Sequence, residues 1–553
     1  MRRTRLLAVA GLLALTVFSG TVLASASKAD GETANVILIV TDDQRYDELS
    51  SMPNVRSLIA AEGVRFDRAY VTYPLCCPSR SSLLTGLYAH NHDVKGNSPP
   101  AGGWGRFEAL HESSALPVRV QSAGYRTGFA GKYMNGYMRG LPDPPRKAPV
   151  WDFWGAQTSA DNYLDFYYDY DLAFSPGTGE PVEYLHHGFA PTDYMTDVTG
   201  GKALSFLEER ASEPGVPFML AFWPGGPHFP FEPAPRHWNL LDSRYLKPVP
   251  AQNERDMSDK PRWLQRSVRK ITQKGLGRIL DERRRRLEQL ISVDEAIGAM
   301  MEELERQGRL EDTYVIFTSD NGYFRGEHRI PAGKYLPYEA SARVPLIIRG
   351  PGIPSGERSR ELVSLMDVSQ TILQITSGAI DVAADGRSLL PFAADPDLTT
   401  TRPLLIEGFT SNGDDDDASS SGLRSNPAAG LGGVADLEQE PLRVRRGDSE
   451  GGTGRAQITW RAPGYLSVRT DRYLLTAYAN GQLELYDMDR DPAQMENVIT
   501  RRSYREARRW LLDLLDQLAS CAGEECRAET GPEPVPRRQG PVAPVPAPAR
   551  ASG

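Results

Sequence analysis

The sequence predicts an α/β fold: a doubly wound sheet sandwiched by helices, followed by a smaller C-terminal domain carrying an antiparallel sheet. Two observations carry that expectation. Apolar, β-branched runs at residues 35–40, 217–223, 314–319 and 344–349 have the near-continuous hydrophobicity of strands buried on both faces, and helix-like stretches separate them. Beyond residue 460, three short strand patterns separated by turns read as a meander.

Taken in order, the chain opens with Arg2, Arg3 and Arg5 ahead of an apolar run at residues 6–23 and the small residues Ala24-Ser25-Ala26. Residues 1–26 therefore read as a signal peptide, with the twin-arginine route left open. An uncleaved anchor is the rival reading, since the run approaches spanning length, but its Gly and Ser residues and the Ala-Ser-Ala site favour cleavage. A secreted or cell-surface, extracytoplasmic location is expected, without stable membrane association.

A catalytic domain is expected over residues 34–400. Its first strand ends in Thr41-Asp42-Asp43; a helix at 52–62 and a strand at 65–71 follow. Then comes Cys76-Cys77-Pro78-Ser79-Arg80, running into Leu83-Leu84-Thr85-Gly86. Pro78 suits a first helical position, which places Cys76 just ahead of a helix N-terminus, where free N–H groups favour anions. Arg80 adds a fork of donors that fits a tetrahedral oxyanion. A short strand at 125–132 ends in Gly131-Lys132, and residues 141–191, rich in Pro, Gly and aromatics, read as loops over one end of the sheet. The aromatics at 151–170 could stack on sugars or simply pack.

A helix at 192–210 and the strand at 217–223 lead to Pro227-His228. Residues 281–307 carry a helical apolar stripe through Leu287, Leu290, Ile291 and Leu304, and their charged residues read as a solvated face. The strand at 314–319 ends in Asp320-Asn321-Gly322. Residues 411–454 form an acidic, Gly/Ser-rich insert or linker, whose Asp414–Asp417 run lacks the spaced ligands of a calcium loop. A C-terminal subdomain is expected over 458–526, with strands at 466–470, 473–477 and 483–486 and a helix at 504–518, and a Pro-rich tail over 527–553.

Composition narrows the function. A net charge of −9, more negative still without the leader arginines, gives no concentrated basic face for nucleic acid. Of the four cysteines, Cys521 and Cys526 suit a disulfide in an exported protein. Adjacent Cys76 and Cys77 would strain a mutual bridge and are left over from any structural framework. Asp42 and Asp43 on one strand end, with Asp320 and Asn321 on another, offer hard oxygens suited to Ca²⁺ or Mg²⁺. Each pair alone would be ordinary turn capping. Two pairs at equivalent strand ends, beside an anion-suited helix start, favour a metal-assisted anion site, because ligands of open α/β sheets bind beyond the carboxyl ends of the strands.

These residues resemble the sulfatase family. Cys76-Cys77-Pro78-Ser79-Arg80 with Leu84-Thr85-Gly86 is similar to its signature, and further landmarks follow in family order: Thr41-Asp42-Asp43, Gly131-Lys132-Tyr133, Pro227-His228, Ser319-Asp320-Asn321-Gly322, Gly326-Glu327-His328, Lys334 and Asp385-Gly386-Arg387. Tyr88-Ala89-His90-Asn91-His92-Asp93 resembles the N-acetylglucosamine-6-sulfatase branch. The resemblance implies an alkaline-phosphatase-like core and a cysteine-type enzyme in which a formylglycine-generating enzyme oxidises Cys76. The hydrated aldehyde carries two hydroxyls on one carbon, so one attacks sulfur and deprotonation of the other expels sulfate.

By the same resemblance Asp42, Asp43, Asp320, Asn321 and modified Cys76 hold the cation, Ca²⁺ with Mg²⁺ as the alternative. Arg80 orients the hydrate, Lys132 and Lys334 bind sulfate oxygens, and His228 contacts sulfate and serves the leaving alcohol. Many sulfatases carry Lys-x-His where this chain has Lys132-Tyr133-Met134, so that histidine function is absent or taken by Asn135. Cys77 is the variable position of the signature and is expected to pack. His328 is either a substrate contact or a loop element. The expected substrate is a sulfated glycan; a phosphonate or phosphate ester hydrolase, or a glycan-binding relative with unmodified Cys76, are the competing functions.

Overall fold

In the computed structural model, the described residues are 33–139, 146, 150–158, 167–177, 180–409, 434–436 and 461–536. The leader, nearly all of the acidic insert and the end of the tail lie outside them. The main sheet has eleven strands: β1 (Asn35–Thr41), β2 (Val64–Tyr70), β3 (Arg126–Lys132), β4 (Phe153–Gln157), β5 (Tyr170–Ser175), β6 (Glu183–His187), β7 (Phe218–Trp223), β8 (Thr313–Ser319), β9 (Arg343–Val344), β10 (Leu346–Arg349) and β11 (Glu357–Ser364). Their order is β11-β2-β10-β8-β1-β7-β3-β4-β5-β6, with β9 beside β2.

Four central strands, β8, β1, β7 and β3, run parallel, so their C-terminal ends open on one edge of the sheet. The register Thr41↔Ser319 and Gly131↔Trp223 brings those ends level. Helices cover both faces. Met195–Arg210 and the long helix Gln273–Arg306 pack Phe206, Leu207, Leu287, Leu290 and Val293 against Ile37, Leu220 and Phe317. The other face receives Cys76–Thr85 and Asp367–Ser377 through Leu83, Leu84, Val368 and Ile372.

Three expectations change. Residues 141–191 are not merely loops: β4, β5 and β6 extend the sheet, β4 parallel to β3 and the next two antiparallel. Pairing with the edge of β3 supplies what local propensity does not. The long helix starts at Gln273, eight residues before the periodic stripe, where the Thr272 hydroxyl accepts the Gly275 N–H at 3.1 Å. Its charged residues are not all solvated, because Arg286, Glu288 and Asp294 are buried and paired.

The C-terminal sheet is four-stranded and antiparallel, in the order β12 (Leu404–Gly408), β15 (Tyr465–Arg469), β16 (Tyr473–Tyr478) and β17 (Leu483–Asp487). A separate ladder joins β13 (Val434–Asp436) to β14 (Arg461–Pro463). The helix Arg505–Leu518 presents Ala507, Leu511, Leu514, Leu515 and Leu518, one stripe at helical spacing, to Leu405, Val468 and Leu485 of that sheet. Cys521 and Cys526 form a disulfide directly after it.

Asp367, at the start of its helix, ties this region to the catalytic layer. Its carboxylate accepts from both terminal nitrogens of buried Arg402, each at 3.0 Å, and from the backbone N–H groups of Ser364 and Arg387 at 2.8 and 2.9 Å. Asp367→Ala leaves the Arg402 charge buried without its partner and should cost about 3–5 kcal/mol, read as a lowered thermal midpoint. An unchanged midpoint would contradict this assignment.

Candidate active site

The site is built where β1, β7, β8 and β3 end. Asp42 and Asp43 leave β1, Asp320 and Asn321 leave β8, His228 follows β7, and Lys132 closes β3. Backbone bonds knit these ends together: the Asp42 N–H donates to the Gly226 carbonyl at 3.2 Å and the Asp320 N–H to that of Thr41 at 3.1 Å. Two glycines allow the closeness. A Cβ on Gly131, whose φ is 125°, would lie 2.0 Å from the Trp223 oxygen, and one on Gly322 would lie 2.3 Å from the Ala340 oxygen.

Cys76 is the first residue of its helix rather than the one before it, and Leu75 is the N-cap. Pro78 is the third helical residue; its missing N–H still falls among the unpaired donors of the first turn, and the first helical bond runs from the Ser79 N–H to the Leu75 carbonyl. Arg80 lies one turn further along, on the same face as Cys76.

The structure brings every sequence-predicted site residue together, and all are buried. Cys76 Sγ lies 2.9 Å from Lys334 Nζ, 3.8 Å from Lys132 Nζ and 3.7 Å from Asp42 Oδ1. Each carboxylate has its own cation. Lys132 Nζ donates to Asp42 Oδ2 at 2.5 Å, Lys334 Nζ to Asp43 Oδ1 at 2.6 Å, and Arg80 Nε to Asp320 Oδ2 at 2.8 Å, with Arg80 Nη2 in ion-pair contact 2.8 Å from the same oxygen. Arg80 also reaches Asp42 Oδ1 at 3.4 Å, donates to the carbonyls of Lys132 and Tyr133, and lies over the Trp223 ring at 5.3 Å.

Burial alone would raise all three carboxylates. The surrounding cations outweigh it at Asp42, where Lys132, Arg80 and Lys334 hold the carboxyl well below the usual range, and at Asp43, led by Lys334. At Asp320, burial and the neighbouring Asp42 charge prevail over Arg80, and the carboxyl is pushed upward. Burial also drives the Cys76 thiol well up, against the pull of Lys132 and Lys334. Burial and the Lys132 charge lower His228 to about 4, so its imidazole is neutral at neutral pH. Its Nδ1 lies 2.7 Å from the Phe229 carbonyl, an acceptor, so Nδ1 carries the proton and Nε2 presents a lone pair towards Asp43 Oδ2 at 3.9 Å.

The donor set fits a hard divalent cation. Asp42, Asp43, Cys76 and His228 offer ligand atoms within 4.8 Å of one another. The Asn321 amide donates to Asp43 Oδ1 at 2.6 Å, and among the described residues neither Asn321 Oδ1 nor Asp43 Oδ2 has a hydrogen-bond partner. Buried oxygens of that kind need a donor or a cation.

The family model for sulfatases matches residues 34–379. The chain belongs to the sulfatase family. Family membership implies a metal ion and a cysteine-derived formylglycine, and the buried Asp42, Asp43, Cys76 and His228 group is where this chain would keep them. The chain is 35% identical over 363 residues to a putative extracellular sulfatase Sulf-1 homolog of Caenorhabditis elegans, over 65% of this chain and about half (49%) of that relative's length. It is 32% identical over 407 residues to the human N-acetylglucosamine-6-sulfatase, covering 71% of each. Its fold is similar to that of a protein solved in complex with its substrate D-glucosamine-2-N,6-O-disulfate, with a TM-score of 0.68 at 22% identity, over 90% of this chain and 98% of the other. Among the described residues, no helix is long and apolar enough to cross a membrane.

The remaining candidates divide clearly in this sulfatase. Met134, at the position of the family histidine, is packed in the core. Asn135 lies against Cys77, whose Sγ accepts the Asn135 N–H at 3.2 Å while the Cys77 N–H donates to Asn97 at 2.8 Å. His328 is buried, bonded through Nδ1 to Glu254 at 2.6 Å and packed on the Tyr338 ring at 4.5 Å. Trp151 and Trp154 are core residues around Phe129 rather than an open stacking surface, and the Tyr167 hydroxyl donates to the Gly225 and His228 carbonyls. Sequence reasoning missed Arg286 and Glu48 behind the site, because four successive arginines look like a solvated face.

Gly131→Ala should force β3 away from the Trp223 carbonyl and displace Lys132. Aryl sulfate kcat/KM is expected to fall about 100-fold with the far-ultraviolet circular dichroism unchanged. Parental turnover in a folded variant would contradict the placement of Lys132.

Proposed function

We propose that this sulfatase hydrolyses sulfate esters of a sulfated glycan, with the 6-position of an N-acetylhexosamine or related glucosamine as the leading substrate, after oxidation of Cys76 to formylglycine. The observation that carries the reading is the setting of Cys76: its sulfur sits between two lysine ammonium groups and beside a buried carboxylate, at a helix start. The N-acetylglucosamine-6-sulfatase relatives and the glucosamine disulfate complex support the substrate class.

Residue 76, once converted and hydrated, supplies a hydroxyl nucleophile and a second hydroxyl through which sulfate is released. Asp42, Asp43, Asp320 and Asn321 would hold a hard divalent cation, calcium by the family resemblance with magnesium as the alternative, and it would supply Lewis-acid neutralisation of the sulfate charge.

The chain's own side chains do the rest. Arg80, fixed by Asp320 and two carbonyls, cannot swing and so orients residue 76. Lys132 and Lys334 flank it and bind sulfate oxygens as their charge grows. With three carboxylates matched by three cations, the protein groups nearly cancel, and a bound divalent ion would leave the site net positive for an anionic ester. His228 Nε2, unprotonated in the neutral tautomer, takes the proton that the attacking residue 76 hydroxyl loses and returns it to the leaving alcohol. Maturation requires a formylglycine-generating enzyme. The leader pattern and the extracellular relatives support action outside the cytoplasm.

Peptide mass spectrometry of protein from its natural host tests the reading. The Cys76 peptide should carry the aldehyde in place of the thiol. Cys76→Ala should fold normally with aryl sulfate turnover reduced by about 10⁴-fold or more, as expected on losing a nucleophile. An intact thiol in active protein, or an aryl phosphate turned over faster than the matching sulfate, would contradict it.

A further inference from the structure

The long helix Gln273–Arg306 turns Arg286, the last of its four consecutive arginines, fully into the protein. Its guanidinium touches three of the loops that carry the site, those after β1, β7 and β8. Nη2 donates to the carbonyl of Asp43 at 2.6 Å, after β1. Nη1 donates to the carbonyl of Pro227 at 3.2 Å, after β7 and immediately before His228. The cation lies 4.5 Å from the ring centroid of Tyr323, after β8. Glu48 holds its other edge, with Oε2 3.0 Å from Nη2 and Oε1 3.4 Å from Nε. Glu48 is fixed in turn by Arg325 Nη1 at 3.0 Å and by the Arg45 N–H at 3.3 Å.

The gripped carbonyls are not arbitrary ones. Asp43 has φ of 69°, a left-handed conformation that a non-glycine residue keeps only when its surroundings enforce it. Turning its carbonyl inward to Arg286 aims its side chain outward, to Lys334 and Asn321. The Pro227 carbonyl likewise sets the entry angle of His228. A guanidinium presents its donors in one rigid plane, so it fixes two carbonyls relative to each other, which a lysine cannot do.

We propose that Arg286 is a positioning residue of this site: from beneath, it sets the geometry with which Asp43 meets the cation and His228 meets the reacting group. The proposal rests on the cation reading given above. A buried arginine with a purely structural role would affect only stability, and the two roles separate by measurement.

Arg286→Lys keeps the charge and loses the planar fork. In the holoenzyme, calcium affinity from chelator competition should weaken at least about 10-fold, as for other groups that support metal ligands. Aryl sulfate kcat should fall about 100-fold with KM little changed. Calcium affinity and kcat within about twofold of the parent would overturn the proposal, whatever happens to the thermal midpoint. If Arg286→Lys does not fold, Glu48→Gln reads the same two quantities: weakening of both is expected, and parental values would overturn the proposal equally. A parent enzyme that binds no calcium would refute the cation reading instead, leaving the split between kcat and KM to test the clamp.

Discussion

Asp42, Asp43 and Asp320 are buried side by side, and the rest of the architecture depends on making that tolerable. Three carboxylates removed from water repel one another and lose hydration worth several kcal/mol per ion. Each is therefore paired at close range, Asp42 with Lys132, Asp43 with Lys334 and Asp320 with Arg80. The three cations come from a strand end, a loop and a helix far apart in sequence. The charge balance is thus a long-range constraint that only the folded sheet satisfies, and among the described residues it leaves Asn321 Oδ1 and Asp43 Oδ2 without a hydrogen-bond partner.

The sheet meets that constraint through register. Parallel pairing of β8, β1, β7 and β3 brings four chain ends to one level, and a one-residue slip of β1 on β8 would send Asp42 and Asp43 out of reach of Asp320. The unbroken apolar runs that define these strands therefore act at a distance on the chemistry. Behind the strand ends a second layer of buried charge, Arg45, Glu48, Arg286, Arg325 and Glu327, ties the loops to the long helix. It fixes backbone where the first layer fixes side chains.

Much of this was legible in the sequence, for identifiable reasons. Core strands announce themselves through continuous hydrophobicity, and Asp42-Asp43 and Asp320-Asn321 stand out because acidic groups directly follow such runs. The signature around Cys76 is specific enough to name a family. What stayed hidden depends on partners far along the chain. β4 to β6 are strands because β3 offers an edge, not because Pro- and Gly-rich sequence favours extension. Arg286 is indistinguishable from Arg283, Arg284 and Arg285 until the helix is docked. Met134 shows the converse: matched position in a motif does not say which way a side chain faces, and Met134 packs in the core.

The proposed chemistry needs one divalent cation, held by Asp42, Asp43, Asp320 and Asn321. Elemental analysis of purified protein, before and after Asp320→Asn, tests it most directly. About one equivalent of calcium per chain is predicted for the parent, with loss of bound metal in the variant, whose amide keeps the shape of the carboxylate but not its charge. Metal-free protein that turns over sulfate esters at full rate, or calcium content unaffected by Asp320→Asn, would contradict it.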